Sequence, residues 1–195
     1  SPHPMVTAIP GLKVAMPSTA ADEKCLLTNA IRYDDPVIFF EHKTLYGLQG
    51  EVPEGDHLVP FGKARMVSEG TDCTLVATGR MVSFCEDAAN ALSADGISCD
   101  IIDPRTTSPL DEDAILDSVE KTGRLIVVDE TPPRCSFAAD VAALAASEVF
   151  SSLKAPIKTV TGPHSPVPFA KELESAYLPS PLKIKTVIEQ TVKYS

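Results

Sequence analysis

The 195-residue sequence contains no tryptophan, only 10 glycines and an odd number of cysteines, five. No two cysteines stand at C-x-x-C spacing, so the pattern fits neither a disulfide framework nor a zinc site. We interpret all five as small apolar core residues of a protein in a reducing cytoplasm: Cys25, Cys73, Cys85, Cys99 and Cys135. With 44% apolar and 23% charged residues, the chain is long enough for one sizeable core.

Long apolar runs and an excess of positive charge are also absent. The longest apolar runs, such as residues 37–40 and 125–128, fall far short of the roughly 18 residues that span a bilayer. The net charge is −10 and no Lys/Arg cluster reverses it locally, so we expect neither membrane nor nucleic-acid binding. Because the first residue is Ser1 and a strand-like segment follows almost at once, we expect more protein upstream.

Strand-like and helical segments alternate along the chain. Apolar and β-branched runs predict strands at residues 12–16, 37–41, 64–68, 73–78, 99–103, 124–129 and 157–161. The predicted strands from residue 73 onward are nearly continuous apolar runs, and the segments between them have the periodicity of helices. We therefore predict an α/β fold in three layers, with a mostly parallel sheet between helices. Residues 64–68 can pair with 73–78 across a Glu-Gly turn and add one antiparallel edge strand.

Capping signals place helices between these strands. Thr19, with Asp22 three residues later, predicts the start of a helix. The Ser-Pro pairs at 108–109 and 180–181 are interpreted as a capping serine followed by a proline at the first helical position. Gly123 predicts the end of the helix that follows the first pair.

A segment rich in glycine and proline divides the chain near its first third. Residues 46–61 show no periodicity, which is typical of a crossing segment. We therefore predict an N-terminal part over residues 1–45, a linker over 46–61 and an α/β domain over 62–195.

Charged residues follow several predicted strands. In an open parallel sheet, ligands meet the carboxyl ends of the strands, so Arg105, Glu130 and His164 are candidates for one rim where a histidine beside a carboxylate acts as a general base. We favour the alternative that these charges solvate loops or bridge subunits. The loop 78–81 has no glycine pattern that cradles phosphate, which argues against a dinucleotide-binding module.

The other histidines give weaker signals. His42 follows Glu41 at the end of a predicted strand, where either side chain can face a cleft between the two parts, although an exposed strand-end pair explains them equally well. His3 and His57 lie in turn-like sequence and are interpreted as incidental. Without a nucleophile elbow or closely spaced His/Cys ligands, self-contained catalysis is poorly supported.

Residues 137–150 predict a helix with small or apolar side chains on nearly every face. Such a helix is expected to be buried on two sides. Either it lies wholly inside its own domain, or it packs on the sheet with one face and on another subunit with the other.

Several segments together resemble one family. They are Pro10-Gly11-Leu12-Lys13-Val14-Ala15-Met16-Pro17-Ser18-Thr19, Phe40-Glu41-His42-Lys43, Asp103-Pro104-Arg105-Thr106, Val128-Asp129-Glu130 and Val167-Pro168-Phe169. In this order they resemble the beta subunit of the thiamine-diphosphate-dependent first component of 2-oxo acid dehydrogenase complexes, in particular the bacterial acetoin and pyruvate dehydrogenases. The resemblance covers essentially the whole chain.

The resemblance implies an alpha2 beta2 enzyme that uses thiamine diphosphate and magnesium and passes an acyl group to lipoyl groups. The implied partners are an alpha subunit, a second beta subunit and a dihydrolipoyl acyltransferase core. Residues 1–45 would be the end of a pyrimidine-binding domain, and residues 62–195 a transketolase-like C-terminal domain that mainly supports assembly. The family's cofactor-activating glutamate precedes the matched part, so no catalytic and no cofactor-binding residue is assigned, and we expect the isolated chain to be inactive.

One metal site is implied as well. Members of the family can hold potassium by backbone carbonyls in a helix-to-strand turn, which here contains Ala30, Ile31, Tyr33 and Asp35. The sequence does not distinguish acetoin from pyruvate or branched-chain substrates. A nucleotide- or flavin-binding module and a non-catalytic scaffold remain the alternative functions.

Overall fold

The computed structural model describes residues 2–194, and its first part contains one strand, helix, strand unit. The elements there are α1 (His3–Thr7), β1 (Lys13–Ala15), α2 (Ala20–Arg32) and β2 (Val37–Phe39), followed by a 3-10 turn (Lys43–Leu45). Helix α2 begins as predicted, because the Thr19 hydroxyl accepts a hydrogen bond from the Asp22 backbone N–H at 3.1 Å.

The second part follows an extended loop. Its elements are β3 (Arg65–Ser68), β4 (Cys73–Ala77), α3 (Arg80–Ser93), β5 (Cys99–Asp103), β6 (Thr106–Ser108), α4 (Glu112–Thr122), β7 (Leu125–Val128), α5 (Phe137–Glu148), a 3-10 turn (Phe150–Ser152), β8 (Lys158–Val160), α6 (Lys171–Tyr177) and α7 (Pro181–Val192). The short elements α1, β6 and α6 were not predicted from the sequence.

A five-stranded sheet with the order β3-β5-β4-β7-β8 forms the centre of the second part. Strands β5, β4, β7 and β8 are parallel, and β5 and β7 are interior strands. Helices α3 and α7 bury their apolar faces against one side of the sheet, and α4 and α5 cover the other side. The three-layer α/β prediction is therefore confirmed.

The antiparallel edge strand β3 exists, but its predicted partner was wrong. It pairs with β5 rather than with β4, whose two edges are occupied by β5 and β7. The connection crosses over β5 so closely that a Cβ atom at Gly70 would lie 2.3 Å from the Cys99 backbone nitrogen. Only glycine permits this crossing.

A second sheet of three strands joins the two parts of the chain. Its order is β2-β1-β6, with β1 parallel to β2 and antiparallel to β6. The interpretation of Ser108 as a helix cap is wrong, since residues 106–108 form β6 and α4 begins only at Glu112. The Ser108 hydroxyl instead donates to the Leu12 carbonyl oxygen at 2.8 Å and fixes β6 beside the N-terminal part.

Four charged side chains form a network between the two parts, here called the junction network: Asp22, Arg65, Asp103 and Arg105. The Arg105 guanidinium donates to Asp22 Oδ1 at 2.9 Å, and the Arg65 guanidinium lies 3.3 Å from both Asp22 Oδ2 and Asp103 Oδ2. Burial raises the pKa of Asp103, while the Ser18 hydroxyl, the Arg65 charge and the Arg105 backbone N–H oppose the rise. The network therefore places opposite charges together in a buried position.

Four of the five cysteines are buried as predicted, and all five are free thiols. Cys73 and Cys99 lie side by side on β4 and β5, with their sulfur atoms 3.4 Å apart. The expectation for Cys135 is wrong, because this residue is exposed in a left-handed turn (φ +48°) just before α5. Within residues 2–194, no helix is both long and apolar enough to cross a membrane.

The junction network predicts a specific stability effect. Asp22→Asn removes the carboxylate that pairs with Arg105 and one of the two that pair with Arg65, so we expect the free energy of unfolding to fall by about 3 kcal/mol. Urea denaturation measures this loss. The matched control is Asp56→Asn, which removes the exposed Arg32–Asp56 ion pair and should cost less than about 1 kcal/mol. Equal losses in the two variants would contradict a stabilising role for the network.

Candidate functional site

The carboxyl ends of three strands meet where the two parts of the chain join. Residues 41–42 follow β2, Gly79 follows β4, and Asp129 and Glu130 follow β7. Between them lies a cavity of about 270 Å³, lined by Pro2, Met16, Pro17, Phe40, Glu41, His42, Lys43, Gly79 and Glu130. This is the position at which α/β sheets present ligand-binding groups.

A histidine–carboxylate pair spans this cavity. His42 Nε2 lies 3.1 and 3.0 Å from the two carboxylate oxygens of Glu130. His42 Nδ1 accepts hydrogen bonds from the Thr44 hydroxyl at 2.8 Å and the Thr44 backbone N–H at 3.3 Å, so the proton on Nε2 is the one donated to Glu130. Of the two alternatives left open for residues 41–42, the one in which a side chain faces a cleft between the parts agrees with the position of His42, and the pair connects the two parts.

A second histidine–carboxylate pair lies one residue earlier on the same strand end. His3 Nε2 is 3.6 Å from Asp129 Oδ2, and each side chain is only 1% exposed. Burial alone would raise the pKa of Asp129, but the His3 hydrogen bond and charge, together with the Thr131 hydroxyl and N–H, lower it overall. The interpretation of His3 as incidental is therefore wrong.

One feature of the sequence indicated that such pairs form. Asp129 and Glu130 are consecutive acids directly after a buried strand, and buried carboxylates require a donor or counter-charge. The donors lie 126 or 88 positions away in the sequence, so only the fold identifies them as His3 and His42.

The predicted rim of Arg105, Glu130 and His164 does not form one cluster of contacts. Arg105 belongs to the junction network and also donates to the carbonyl oxygens of Lys63 and Ala64. Glu130 contacts His42, and His164 is exposed in the loop after β8. The preferred alternative, in which these charges solvate loops or bridge subunits, fits the exposed His164, whereas Arg105 and Glu130 bond other residues of the same chain.

The turn predicted to bind potassium already contains a cationic side chain. The Lys13 ammonium lies 4.8 Å from the centre of the Tyr33 ring and 3.6 Å from an Asp35 carboxylate oxygen. The Ala30 carbonyl oxygen accepts the Tyr33 backbone N–H at 3.3 Å. In the described part of the chain, no three His, Cys, Asp or Glu side chains cluster as metal ligands. Potassium binding by backbone carbonyls of Ala30, Ile31, Tyr33 and Asp35 stays a prediction.

A second cavity, here called the carboxyl pocket, lies on the other side of residues 41–42. It has a volume of about 260 Å³ and is enclosed by the start of α2 and the segment 41–48. Glu23 and Glu41 face each other in it, and the Tyr46 hydroxyl donates to Glu41 Oε2 at 2.8 Å. Burial, followed by the hydrogen bond and charge of Glu41, raises the pKa of Glu23 to about 7.

The comparisons with protein families define the class. Residues 62–184 match the family described as transketolase, C-terminal domain, and residues 2–49 match transketolase, pyrimidine binding domain. The chain belongs to the transketolase C-terminal domain family and carries pyrimidine-binding-domain sequence before it. A solved structure titled "Split gene transketolase, inactive beta4 tetramer" has the same fold, with a TM-score of 0.82, 22% identity, and coverage of 98% of this chain and 60% of that one.

More similar relatives narrow the class. The chain is 53% identical, over 97% of its length, to the acetoin:2,6-dichlorophenolindophenol oxidoreductase subunit beta of Cupriavidus necator. It is 43% identical, over 96% of its length, to the pyruvate dehydrogenase E1 component subunit beta of Rickettsia felis. The chain spans 56% and 57% of the length of these two relatives. The resemblance identified in the sequence is thereby confirmed.

The buried His3–Asp129 pair predicts a pH-dependent effect of its removal. His3→Gln should lower the free energy of unfolding by about 3 kcal/mol at pH 7, because it removes the interaction that lowers the pKa of the buried Asp129 carboxyl. A lowered carboxyl pKa stabilises the fold above the usual Asp pKa of about 4, and this contribution disappears as the pH falls through the lowered value. The difference between wild type and variant should therefore shrink below about pH 4.

Urea denaturation at several pH values measures that difference. His57→Gln is the matched control, since His57 is exposed in the loop between the two parts. A His3→Gln effect that is as small as that of His57→Gln, or that does not change with pH, would contradict the stabilising role of the pair.

Proposed function

We propose that this chain is a portion of the beta subunit of a thiamine-diphosphate-dependent acetoin dehydrogenase, the first component of a complex related to the 2-oxo acid dehydrogenases. The observation that carries the proposal is 53% identity along almost the entire chain to an acetoin oxidoreductase beta subunit. Acetoin is favoured over pyruvate as the substrate because the identity to the pyruvate dehydrogenase relative is ten points lower, at 43%. The enzyme would oxidatively cleave acetoin and transfer the acyl fragment to lipoyl groups.

The residues of this chain do not themselves fit a diphosphate with magnesium. The cavity at the strand ends presents the carboxylates of Glu41 and Glu130, which repel a diphosphate, and its His42 already donates to Glu130. We therefore assign the cofactor contacts to other parts of the complete enzyme. The role of this chain is then to assemble subunits and to support the cofactor-binding parts.

The outer face of α5 supports a contact with a second beta subunit. Phe137, Val141 and Ala145 pack against the sheet, while Ala139, Ala143 and Ala146 form an exposed stripe on the opposite side. This exposed stripe favours the second of the two alternatives for this helix, in which it packs on the sheet with one face and on another subunit with the other. Small side chains permit close approach of a facing helix.

The similarity to these beta subunits also supports the remaining parts of the proposal. An alpha subunit and a dihydrolipoyl acyltransferase core complete the assembly, magnesium accompanies the thiamine diphosphate, and potassium binds at the turn 30–35. Four buried free thiols suit a reducing compartment, which supports a cytoplasmic location.

Activity measurements test the substrate. The complete beta subunit is combined with its alpha subunit, thiamine diphosphate and magnesium, and the reduction of 2,6-dichlorophenolindophenol is measured with acetoin, pyruvate or 2-oxoisovalerate. We expect the highest kcat/KM with acetoin. Without thiamine diphosphate we expect no reduction of the dye. A complex that binds the cofactor but oxidises none of the three substrates would contradict the proposed function.

Calorimetric titration of the 195-residue chain tests where the cofactor binds. Because a site shared between subunits is incomplete here, we expect no binding of magnesium thiamine diphosphate with a Kd below roughly 10 μM, about −7 kcal/mol. The complete alpha and beta assembly serves as the positive control. Tighter binding by the chain alone would mean that a nearly complete site lies within it.

Replacement of a small residue tests the α5 contact. Ala146→Glu places a charge in the exposed alanine stripe, so it should prevent self-association while leaving the thermal unfolding of the monomer unchanged. Sedimentation velocity of the chain, and of the complete subunit, measures the association. Ala91→Glu, on the exposed side of α3, is the matched control. Association of Ala146→Glu equal to that of wild type, or a wild type that is monomeric in both forms, would contradict this interface.

A further inference from the structure

The carboxyl pocket brings together two acids from different elements. Glu23 belongs to the first turn of α2, whereas Glu41 lies in the segment that follows β2. Both line the cavity of about 260 Å³, together with Leu45, Tyr46 and Leu48 of the segment 41–48. The segment therefore covers the beginning of α2, and the two carboxyl groups lie in the contact between them.

The hydrogen bonds around the pair leave one acceptor without a donor. Glu23 Oε1 is buried and has no hydrogen-bond donor among residues 2–194 when both acids are ionised. The Tyr46 hydroxyl is committed to Glu41 Oε2. An ionised carboxylate only accepts hydrogen bonds, so two facing carboxylates repel each other unless one of them carries a proton.

The neighbouring charges do not neutralise the pair. The charged and titratable groups around it are Asp22 and Lys24 on α2, His42, Lys43 and Tyr46 on the segment, and Glu130 beyond His42. Lys24 donates to the Pro53 carbonyl oxygen at 2.5 Å, and His42 donates to Glu130. Lys43 is exposed to solvent, and Asp22 is bound by Arg105. The nearby cations are thus bound elsewhere or hydrated.

We propose that Glu23 and Glu41 form a proton-sharing clasp that fastens the segment 41–48 onto helix α2. In the closed state, protonated Glu23 donates its hydrogen to the Glu41 carboxylate, and Glu41 accepts a second hydrogen bond from Tyr46. When the proton leaves to solvent, both acids are charged and the segment moves away from α2. The raised pKa of Glu23, about 7, places this change near neutral pH.

The clasp adjoins the contact between the two parts of the chain. His42, which bonds both carboxylate oxygens of Glu130, is the residue after Glu41, so opening of the segment disturbs this contact between residue 42 and the second part. Opening also exposes the half-buried side chain of Leu45, which lines the pocket. The proposal rests on these contacts alone and does not depend on the enzyme's substrate.

Carboxyl carbon NMR and amide exchange of the 195-residue chain test the clasp together. We expect the Glu23 carboxyl to titrate with a midpoint of about 7. The Leu45 and Leu48 amides donate to the His42 and Leu45 carbonyl oxygens within the segment, and the clasp predicts that these turns loosen when the segment leaves α2. After correction for intrinsic exchange, their protection should fall about tenfold between pH 6 and pH 8, as Glu23 passes from mostly protonated to mostly ionised.

Matched variants separate the clasp from a general effect of pH. Glu23→Gln supplies a permanent donor to Glu41, so its Leu45 and Leu48 protection should not change between pH 6 and pH 8. Glu120→Gln, an exposed position on α4, should behave as wild type. Tyr46→Phe removes a donor from the Glu41 carboxylate, so it should raise the Glu23 midpoint further.

Two results would overturn the clasp. One is a Glu23 carboxyl that titrates near 4.5, the ordinary value, in the wild type. The other is equal loss of Leu45 and Leu48 protection in wild type and Glu23→Gln. If Glu23→Gln does not fold, Glu41→Gln replaces it: the clasp predicts that the Glu23 midpoint then falls towards 4.5, and an unchanged midpoint refutes it.

Discussion

Arg105 holds the two sheets together, because it turns the chain from β5 into β6 and places its guanidinium against helix α2. Its left-handed backbone (φ +60°) allows β6 to reverse direction and pair with β1 of the N-terminal part. The Arg105 carbonyl oxygen accepts the Met16 backbone N–H at 2.8 Å, and its guanidinium bonds Asp22. Backbone and side chain of one residue therefore fix the same junction.

The strand end of β7 shows how the environment assigns different roles to adjacent acids. Asp129 is buried with His3, and its lowered pKa identifies it as a charged group that stabilises the fold. Glu130 is partly exposed in the cavity and bonds His42. The two pairs attach residues 3 and 42 to one strand, which explains how a short N-terminal part packs against a much larger sheet. The carboxyl pocket beside His42 then adds a contact that depends on a proton.

Local patterns were sufficient to predict most of the large domain. Strands β4, β5 and β7 are fully buried and rich in apolar and β-branched residues, so they are recognisable in the sequence, and Thr19 and Ser180 cap their helices as predicted. The errors arose where distant contacts decide the structure. Residues 106–108 form a strand because they pair with β1, which lies more than ninety positions earlier in the sequence. His3 was interpreted as incidental because no residue near it in the sequence is charged. Its partner Asp129 lies far away in the sequence, directly after β7.

We expect the N-terminal part and the α/β domain to form one cooperative unit through Arg105 and its partners. Native-state amide exchange in increasing denaturant tests this directly at three amides: Met16, which is bonded to the Arg105 carbonyl across the junction, Phe40, which is bonded to Ala15 within the N-terminal part, and Thr74 of the central strand β4. We predict that all three open with the same free energy, within about 0.5 kcal/mol. If the free energy of opening at Met16 and Phe40 is at least about 2 kcal/mol lower than at Thr74, the two parts open independently. That result would contradict a single cooperative unit.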